Sequence, residues 1–266
     1  MIHIGIDPVA FTIGSFDVRW YGIFITLCIV TMVLWVWHFG KRVGINSELA
    51  LGTSLVAIPT GIIVSKLLHV IDKFDYYIHN PGDILERGGL TVYGAIMGGI
   101  LGAWIYFRWR KVPFGPLADV AAPGVALGQI VGRIACVLNG CCHGNPTSLP
   151  WGFVYTHPDS EATLNVAVHP THVYEMLLNL VLFVIVFWVL RGRLKPAGSL
   201  MMAYLALYSI GTFGIRFLRG DTDPFFVGLQ EAQVVSLVIV LVSAFFLVTK
   251  VRWVTKNGTA ATSSSS

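Results

Sequence analysis

Long apolar stretches separated by short polar connections dominate the hydrophobic pattern of this chain. Seven stretches come close to the ~20 residues that an α-helix needs to cross the hydrocarbon core of a bilayer. Their approximate spans are 20–39, 50–70, 90–107, 117–138, 171–190, 199–217 and 231–249. The pattern predicts an all-α integral membrane protein with seven transmembrane helices, forming one polytopic domain over residues 1–255 and ending in a disordered polar tail at 256–266.

The composition supports a membrane environment. Hydrophobic residues make up 55% of the 266 positions and charged residues only 12%, whereas soluble domains carry about 25% charged residues. Lipid is therefore the main solvent of the folded chain. The formal net charge of +4 is small, and a preferred orientation in the membrane explains it better than nucleic-acid binding, which we do not expect.

Lysine and arginine lie mostly in the loops on one side of the predicted bundle. The loops after the first, third, fifth and seventh helices hold 11 of the 18 basic residues: Lys41, Arg42, Arg108, Arg110, Lys111, Arg191, Arg193, Lys195, Lys250, Arg252 and Lys256. The loop at 139–170 has none. Because basic loops stay in the cytoplasm, we predict an external N-terminus, a cytoplasmic C-terminus and external loops that form a small cap.

Arg133 is the most informative ionisable residue at membrane depth, where a charge is costly and usually functional. It stands near the outer end of the fourth predicted helix, and Cys136 and Gly140 follow on the same helix face. A planar guanidinium can bind two oxygens of a phosphate. With Asn139 close by in the sequence, this pattern favours phosphate binding over an arginine that only anchors the helix at the interface.

A polar stripe opens the fifth predicted helix, in the segment "VHPTHVYEMLLN" at 168–179. His172, Glu175 and Asn179 recur at helical spacing on one face, which must point into the bundle or a water-filled cavity. For Glu175 the alternative to a functional role is an interhelical hydrogen-bond lock. For His169, just before the helix, we consider binding or proton transfer.

The sixth predicted helix ends in "YSIGTFGIRFLRGDTDP". Tyr208, Thr212, Arg216 and Arg219 share one face of this segment, as their spacing shows. An ion pair between Arg219 and Asp221 is the structural alternative.

Two adjacent cysteines interrupt the external loop in "LNGCCHGNPT" at 138–147. A metal site, a disulfide, a catalytic thiol and a plain turn are all compatible with Cys141, Cys142 and the nearby Cys136. Zinc ligand pairs are normally separated by two or more residues, so we predict no metal site and no cofactor. A thiol or redox role stays open.

Five pieces of the sequence resemble the prolipoprotein diacylglyceryl transferase family. They read "IDPVAFTIG…VRWYG", "GGLTVYGAIMGG", "GRIACVLNGCCHG", "HPTHVYE" and "FLRGD", and they span residues 6–221. The resemblance implies a multi-pass enzyme of the bacterial inner membrane. Its partners are the lipid bilayer, phosphatidylglycerol and the lipobox cysteine of a preprolipoprotein signal peptide. Diacylglyceryl passes to that thiol, a thioether forms and glycerol-1-phosphate leaves.

The resemblance also implies site residues. Those at family positions are Tyr21, Arg133, Asn139, Gly144, His169, Tyr174, Glu175 and Arg219. We predict catalytic roles for Tyr21, Tyr93, Arg133, His169 and Glu175. We predict phosphatidylglycerol binding by Arg133, Asn139, Gly144, Tyr174, Arg216 and Arg219.

The chain departs from the family's usual signature, "GR-x-x-N-F-x-N-G-E". It carries Cys136 in place of Asn and Cys141 in place of Glu, and Tyr93 stands where the family has His. Thr212 and Arg216 replace the common Arg and Glu. This last exchange moves a positive charge by one helical turn, about 5–6 Å, and preserves a positive field for the phosphate.

The departures leave the general base open. His143, His169 and, with a strongly lowered pKa, Tyr93 are the candidates. The alternative function is a lipid-binding or thiol/redox membrane protein on the same scaffold that has no transferase activity.

The predicted orientation is testable with reporter fusions. A reporter joined to the C-terminus should be active only in the cytoplasm, and one placed in the loop at 139–170 should be active only outside. An external signal from the C-terminal fusion would contradict the orientation.

Overall fold

A computed structural model describes residues 1–85, 89–220 and 225–254, and the chain is mostly helical. The helices are α1 (Trp20–Gly40), α2 (Ser47–Asp72), α3 (Phe74–His79), α4 (Val92–Trp109), α5 (Gly115–Asn139), α6 (Thr171–Val184), α7 (Ser199–Arg216) and α8 (Glu231–Lys250). A π-helical segment, Ile185–Leu190, continues α6. The predicted polar tail at 256–266 lies outside the described residues.

A long helix occupies each of the predicted spans, and the short helix α3 was not predicted. In the part of the chain that the structure describes, five helical segments are long and apolar enough to cross a membrane: Trp20–Val43, Ser47–Asp72, Gly115–Asn139, Thr171–Leu190 and Glu231–Lys250. The remaining long helices, α4 and α7, have 18 residues each. The prediction of a mostly helical, multi-pass membrane protein is confirmed. The number of crossings and the orientation stay predictions.

Short β-strands accompany the helices. They are β1 (Ile2–Ile4), β2 (Val9–Ile13), β3 (Phe16–Arg19), β4 (Phe153–Tyr155), β5 (Ala167–Val168), β6 (Leu194–Lys195) and β7 (Arg252–Trp253). β4 pairs parallel with β1 and antiparallel with β5, which makes a three-stranded sheet. This sheet joins the N-terminal segment to the loop between α5 and α6, the region predicted to form a cap.

The chain forms two compact units, one of Met1–Trp35 with Ala118–Ser266 and one of Val36–Leu117. A buried apolar cluster in the first unit includes Ala122, Leu182 and Tyr204. The second unit has a cluster of its own, centred on Phe107. The assignment of residues 1–255 to a single domain stays a prediction.

Asp119, near the start of α5, caps α7. Its Oδ2 accepts a hydrogen bond from the Gly198 N–H at 2.8 Å, and its Oδ1 accepts from the N–H groups of Leu200 at 2.8 Å and Met201 at 3.2 Å. The first N–H groups of a helix have no partner within the helix, and a negative charge there also complements the helix dipole. This polar residue of an apolar helix therefore has a structural role.

Glycines at every fourth position let α4 pack closely against α2. A Cβ at Gly98 would lie 2.6 Å from the Thr60 carbonyl oxygen and 2.9 Å from the Gly61 Cα. At Gly94, a Cβ would lie 2.5 Å from the Ser65 Cα. Contacts this short are possible only without a side chain, which is the usual role of small residues between membrane helices.

Gly98→Ala should destabilise the protein by about 1–3 kcal/mol, because the added methyl group must push two helix backbones apart. Gly99→Ala is the matched control, since a Cβ there would lie 3.9 Å from its nearest neighbour. In the control, the better helix propensity of alanine should leave stability unchanged or slightly raised. Thermal unfolding in detergent measures both variants, and equal melting temperatures would contradict the proposed packing.

Candidate functional site

The predicted site residues of the first unit lie at one end of its helices. Arg133 and Asn139 belong to the last turns of α5, and Tyr174 and Glu175 belong to the first turns of α6. Arg216 ends α7. Because α5 and α7 contribute their C-terminal ends and α6 its N-terminal end, the polar groups converge on a single level of the bundle.

Arg133 and Glu175 form a buried ion pair across α5 and α6. The Arg133 Nη2 donates to the Glu175 Oε2, and the two side chains are only 15% and 1% exposed. A buried charge is stable only when it is paired. The Arg133 Nε is also buried and has no hydrogen-bond partner among the described residues. Glu175 thus fixes the guanidinium while leaving it donor capacity for an anion.

The polar stripe on α6 faces the interior of the unit, as predicted. His172, Glu175 and Asn179 are all buried. The Asn179 Nδ2 donates to the Glu175 carbonyl oxygen at 2.9 Å, and its Oδ1 accepts from the Tyr204 hydroxyl at 3.0 Å. The bond between Asn179 and Tyr204 links α6 to α7. The Glu175 carboxylate itself is held by Arg133 across α5 and α6, which fits the interhelical lock that the sequence left open for Glu175.

Tyr155, on β4, was not anticipated as part of this region. Its hydroxyl donates to the Val137 carbonyl oxygen at 3.1 Å and lies 3.4 Å from the His172 Nε2. Burial raises the pKa of Tyr155 above its ordinary value, so the hydroxyl keeps its proton and remains a donor. The sequence offered no signal for it, because β4 has only three residues.

Gly144 sits where three segments meet. Its N–H donates to the His169 carbonyl oxygen at 2.8 Å, and it forms a β-bridge with Arg219. A Cβ at Gly144 would lie 2.6 Å from both the His169 Cβ and the Leu218 carbonyl oxygen. Only glycine allows this approach. The structure therefore brings together Gly144, His169 and Arg219, all three of which were predicted site residues.

The "NG" turn that follows Arg133 ends α5. Gly140 has a φ of +77° and donates its N–H to the Cys136 carbonyl oxygen at 3.0 Å. A left-handed glycine of this kind commonly ends a helix. Asn139 is buried, and its Oδ1 has no hydrogen-bond partner among the residues that the structure describes. A buried amide with spare hydrogen-bonding capacity suits a polar ligand.

His169 and Tyr174 form a half-buried pair at the start of α6. The His169 Nδ1 lies 3.3 Å from the Tyr174 hydroxyl, which also accepts a hydrogen bond from the Trp151 Nε1 at 3.0 Å. This imidazole is partly accessible and so suits proton transfer. His143 has a different hydrogen-bond partner. Its Nδ1 lies 2.9 Å from a backbone group, the Gly144 carbonyl oxygen.

Three cysteines lie together next to the ion pair. The Sγ atoms of Cys136, Cys141 and Cys142 are all within 4.8 Å of one another, and none of the three forms a disulfide. Thiol hydrogen bonds from Cys136 and Cys141, helped by the positive charge of Arg219, lower the pKa of Cys142. Hydrogen bonds with Cys136 and Cys142 raise the pKa of Cys141. The sequence pattern did not indicate that Cys136 reaches the other two.

The remaining predicted residues differ in how the structure places them. Tyr21, in the first turn of α1, lies close enough to Arg133 and the three cysteines to interact with them electrostatically. Tyr93 belongs to α4 in the other unit, so its catalytic role stays a prediction. Asp221, the suggested partner of Arg219, lies outside the described residues. Arg216 is half-buried at the end of α7.

The fold and this region define a multi-pass membrane protein with a buried polar site at one end of its helices. The sequence profile of the prolipoprotein diacylglyceryl transferase family matches residues 8–249, and the chain belongs to that family.

Curated relatives agree over nearly the whole chain. A phosphatidylglycerol–prolipoprotein diacylglyceryl transferase from Dehalococcoides mccartyi is 43% identical over 95% of this chain and 96% of the relative. Proteins of the same name from Clostridioides difficile and Oceanobacillus iheyensis are 36% and 33% identical, covering 88% and 93% of this chain and 92% and 90% of their own lengths.

Glu175→Gln should destabilise the protein by about 3–5 kcal/mol, because it leaves the Arg133 charge buried without a counter-charge. Changing both residues to Gln removes both charges, so the double variant should unfold at a higher temperature than Glu175→Gln alone. Thermal unfolding in detergent tests this order.

The matched control is Glu48→Gln, which breaks an ion pair with Arg110 whose side chains are 70% and 38% exposed. An exposed pair contributes less than about 1 kcal/mol, so this variant should be close to the parent. If the loss of stability in the double variant, relative to the parent, equals the sum of the losses in Glu175→Gln and Arg133→Gln, Arg133 and Glu175 are not coupled.

Proposed function

We propose that this protein transfers the diacylglyceryl group of phosphatidylglycerol to the thiol of the lipobox cysteine in a preprolipoprotein signal peptide. The new C–S bond forms as the C–O bond to the phosphate breaks, and glycerol-1-phosphate leaves. Membership of the family and the names of the relatives support this reaction.

The observation that carries the proposal is the fixed, buried guanidinium of Arg133. The leaving phosphate gains negative charge in the transition state, and a preorganised positive group stabilises it without having to reorganise. Glu175 fixes the position of Arg133. The Glu175 carboxylate by itself would repel a phosphate. The Arg133 guanidinium is therefore the member of the ion pair that is suited to bind the phosphate.

Further residues complete the proposed lipid site. Arg219 is 7% exposed and is joined to Gly144 by the β-bridge, so it adds a second positive charge near the phosphate. Asn139 offers its amide, and Arg216 and Tyr174 line the approach. This arrangement suits one anionic headgroup held by several donors.

Proton handling is assigned to His169. The incoming thiol is a weak nucleophile until it loses its proton, and the half-buried imidazole beside Tyr174 is suited to receive that proton. Tyr21 is proposed to shape the site near Arg133, and the catalytic role of Tyr93 remains the one that the sequence predicts.

For the membrane arrangement we propose seven crossings, with the N-terminus outside and the C-terminus in the cytoplasm of a bacterial inner membrane. The distribution of basic residues supports this orientation. The site then lies at the outer face of the membrane, beside the cap that contains β1, β4 and β5. Phosphatidylglycerol in the outer leaflet and an exported signal peptide can both reach it there.

Purified protein in phosphatidylglycerol-containing nanodiscs should convert a lipobox peptide to its diacylglyceryl thioether, measured by mass spectrometry. Arg133→Ala should lower kcat/KM by about a hundredfold or more. Arg133→Lys should recover only part of this loss, because an ammonium group cannot bind two oxygens in a fixed fork.

Gly214→Ala is the control, since a Cβ there meets no atom within 4 Å. It should leave the rate unchanged. Folded protein that forms no thioether, or Arg133→Ala with the rate of the parent, would contradict the proposed function.

A further inference from the structure

We propose that Cys136, Cys141 and Cys142 bind a zinc ion whose open fourth position takes the lipobox thiol. The proposal deepens the transferase function above and rests on it. It assigns the three cysteines to activation of the acceptor, next to the arginine that binds the lipid phosphate.

The first argument is geometry. Zinc binds thiolates at about 2.3 Å, which places the sulfur atoms of a tetrahedral site about 3.8 Å apart. All three Sγ atoms already lie within 4.8 Å of one another. The observed separations therefore exceed those of a tetrahedral zinc site by about 1 Å at most.

The backbone explains how neighbouring cysteines reach one centre. Cys142 has a φ of +60°, a left-handed conformation that bends the chain between the two residues. In extended backbone, by contrast, successive side chains point to opposite sides. Cys136 comes from the last turn of α5, so one ligand lies on a helix and two lie on the loop that follows.

Hydrogen bonds hold that loop in place. The Thr171 hydroxyl donates to the Cys142 carbonyl oxygen at 2.6 Å, and the Glu161 N–H donates to the Asn139 carbonyl oxygen at 3.0 Å. Gly144, two residues after Cys142, donates its N–H to the His169 carbonyl oxygen at 2.8 Å. Metal sites depend on such supporting contacts to hold their ligands.

The charges around the cluster suit an anionic metal centre. Three thiolates and one Zn²⁺ carry a net charge of −1. The Arg133 Nη1 lies 3.7 Å from the Cys136 Sγ, and Arg219 is joined through its backbone to Gly144, two residues after Cys142. A cationic metal complex would be repelled by these arginines, whereas an anionic, thiolate-rich one is stabilised by them.

The number of ligands indicates a reactive role. Within the described parts of the chain, the cluster offers three His, Cys, Asp or Glu ligand atoms and no fourth. Structural zinc sites have four protein ligands, whereas catalytic sites have three and an open position. Cys141 and Cys142 are partly exposed, which allows access to that position.

The chemistry matches the proposed reaction. A thiol that coordinates zinc loses its proton outright, and the proton passes to His169 or to water. The bound thiolate then attacks the glycerol carbon, the C–S bond forms, and the C–O electron pair leaves with the phosphate oxygen. No oxidation or reduction takes place. Arg133 lies beside both the cluster and the proposed phosphate position, which brings the nucleophile and the leaving group together.

Metal binding can be tested without turnover. Reduced protein in detergent, loaded with zinc and then desalted, should hold about one ion per chain. Zinc affinity should fall by about 10–100-fold or more in each of three variants, Cys136→Ser, Cys141→Ser and Cys142→Ser. Losing a residue that only supports a metal ligand already costs about 10–100-fold in affinity. Cys28→Ser, which removes the fourth free cysteine from α1, is the matched control and should bind like the parent.

Two measurements on the unmodified chain remain informative if a variant does not fold. Zinc should slow maleimide labelling of the three clustered thiols but not of Cys28. Cobalt in place of zinc should give thiolate-to-metal charge-transfer absorption. A lipobox peptide should strengthen that absorption by adding a sulfur ligand, and the same peptide with Ser for Cys should not.

The outcomes separate this proposal from the transferase function. Absence of bound zinc, or a disulfide between two of the three cysteines in active protein, overturns the proposal. If cobalt binds but its absorption spectrum does not change when the lipobox peptide is added, the proposed open fourth position is wrong. Full thioether formation by metal-free protein overturns the zinc site and leaves the transferase function standing. A cobalt spectrum that responds to the peptide, in protein that forms no thioether with zinc bound, supports the site and contradicts the transfer.

Discussion

The ion pair between Arg133 and Glu175 is the interaction on which the rest of this region depends. A guanidinium at membrane depth is tolerated only beside a counter-charge, and α6 supplies that charge from its first turns. The hydrogen bond between Asn179 and Tyr204 adds a second link, from α6 to α7. Charge neutrality of the apolar interior and the proposed recognition of an anionic lipid thus depend on the same two side chains.

Close backbone approaches complete the site. Gly144 allows the loop after α5 to touch both the His169 segment and the end of α7, and Gly140 ends α5 so that this loop can begin. Neither glycine has a functional group of its own. Their role is to set the distance between residues that carry polar or charged side chains. A side chain at Gly144 would separate His169 from Arg219.

The hydrophobic pattern predicted the long helices well, because crossing a bilayer requires a length and an apolarity that can be read directly from the residues. Arg133 and Glu175 also stood out, as polar residues in apolar runs, and the structure pairs them, while their functional roles stay predictions. The sequence did not predict the contacts between segments that lie far apart along the chain. β1 pairs with β4 some 150 positions later, and each strand has three residues, too few for a periodic signal. The meeting of Cys136 with Cys141 and Cys142 depends on the left-handed backbone of Cys142, which residue type alone does not predict.

The cap that Asp119 provides for α7 has a mechanical consequence. α5 carries Asp119 at one end and Arg133 at the other, and α7 is bound to Asp119 at the end opposite Arg216. The two helices are therefore pinned in axial register, and a piston-like slide of α7 would have to break three hydrogen bonds to one carboxylate at once. A movement of α7 at its Arg216 end would therefore be a rotation about the end that Asp119 holds, without a shift of α7 along its axis.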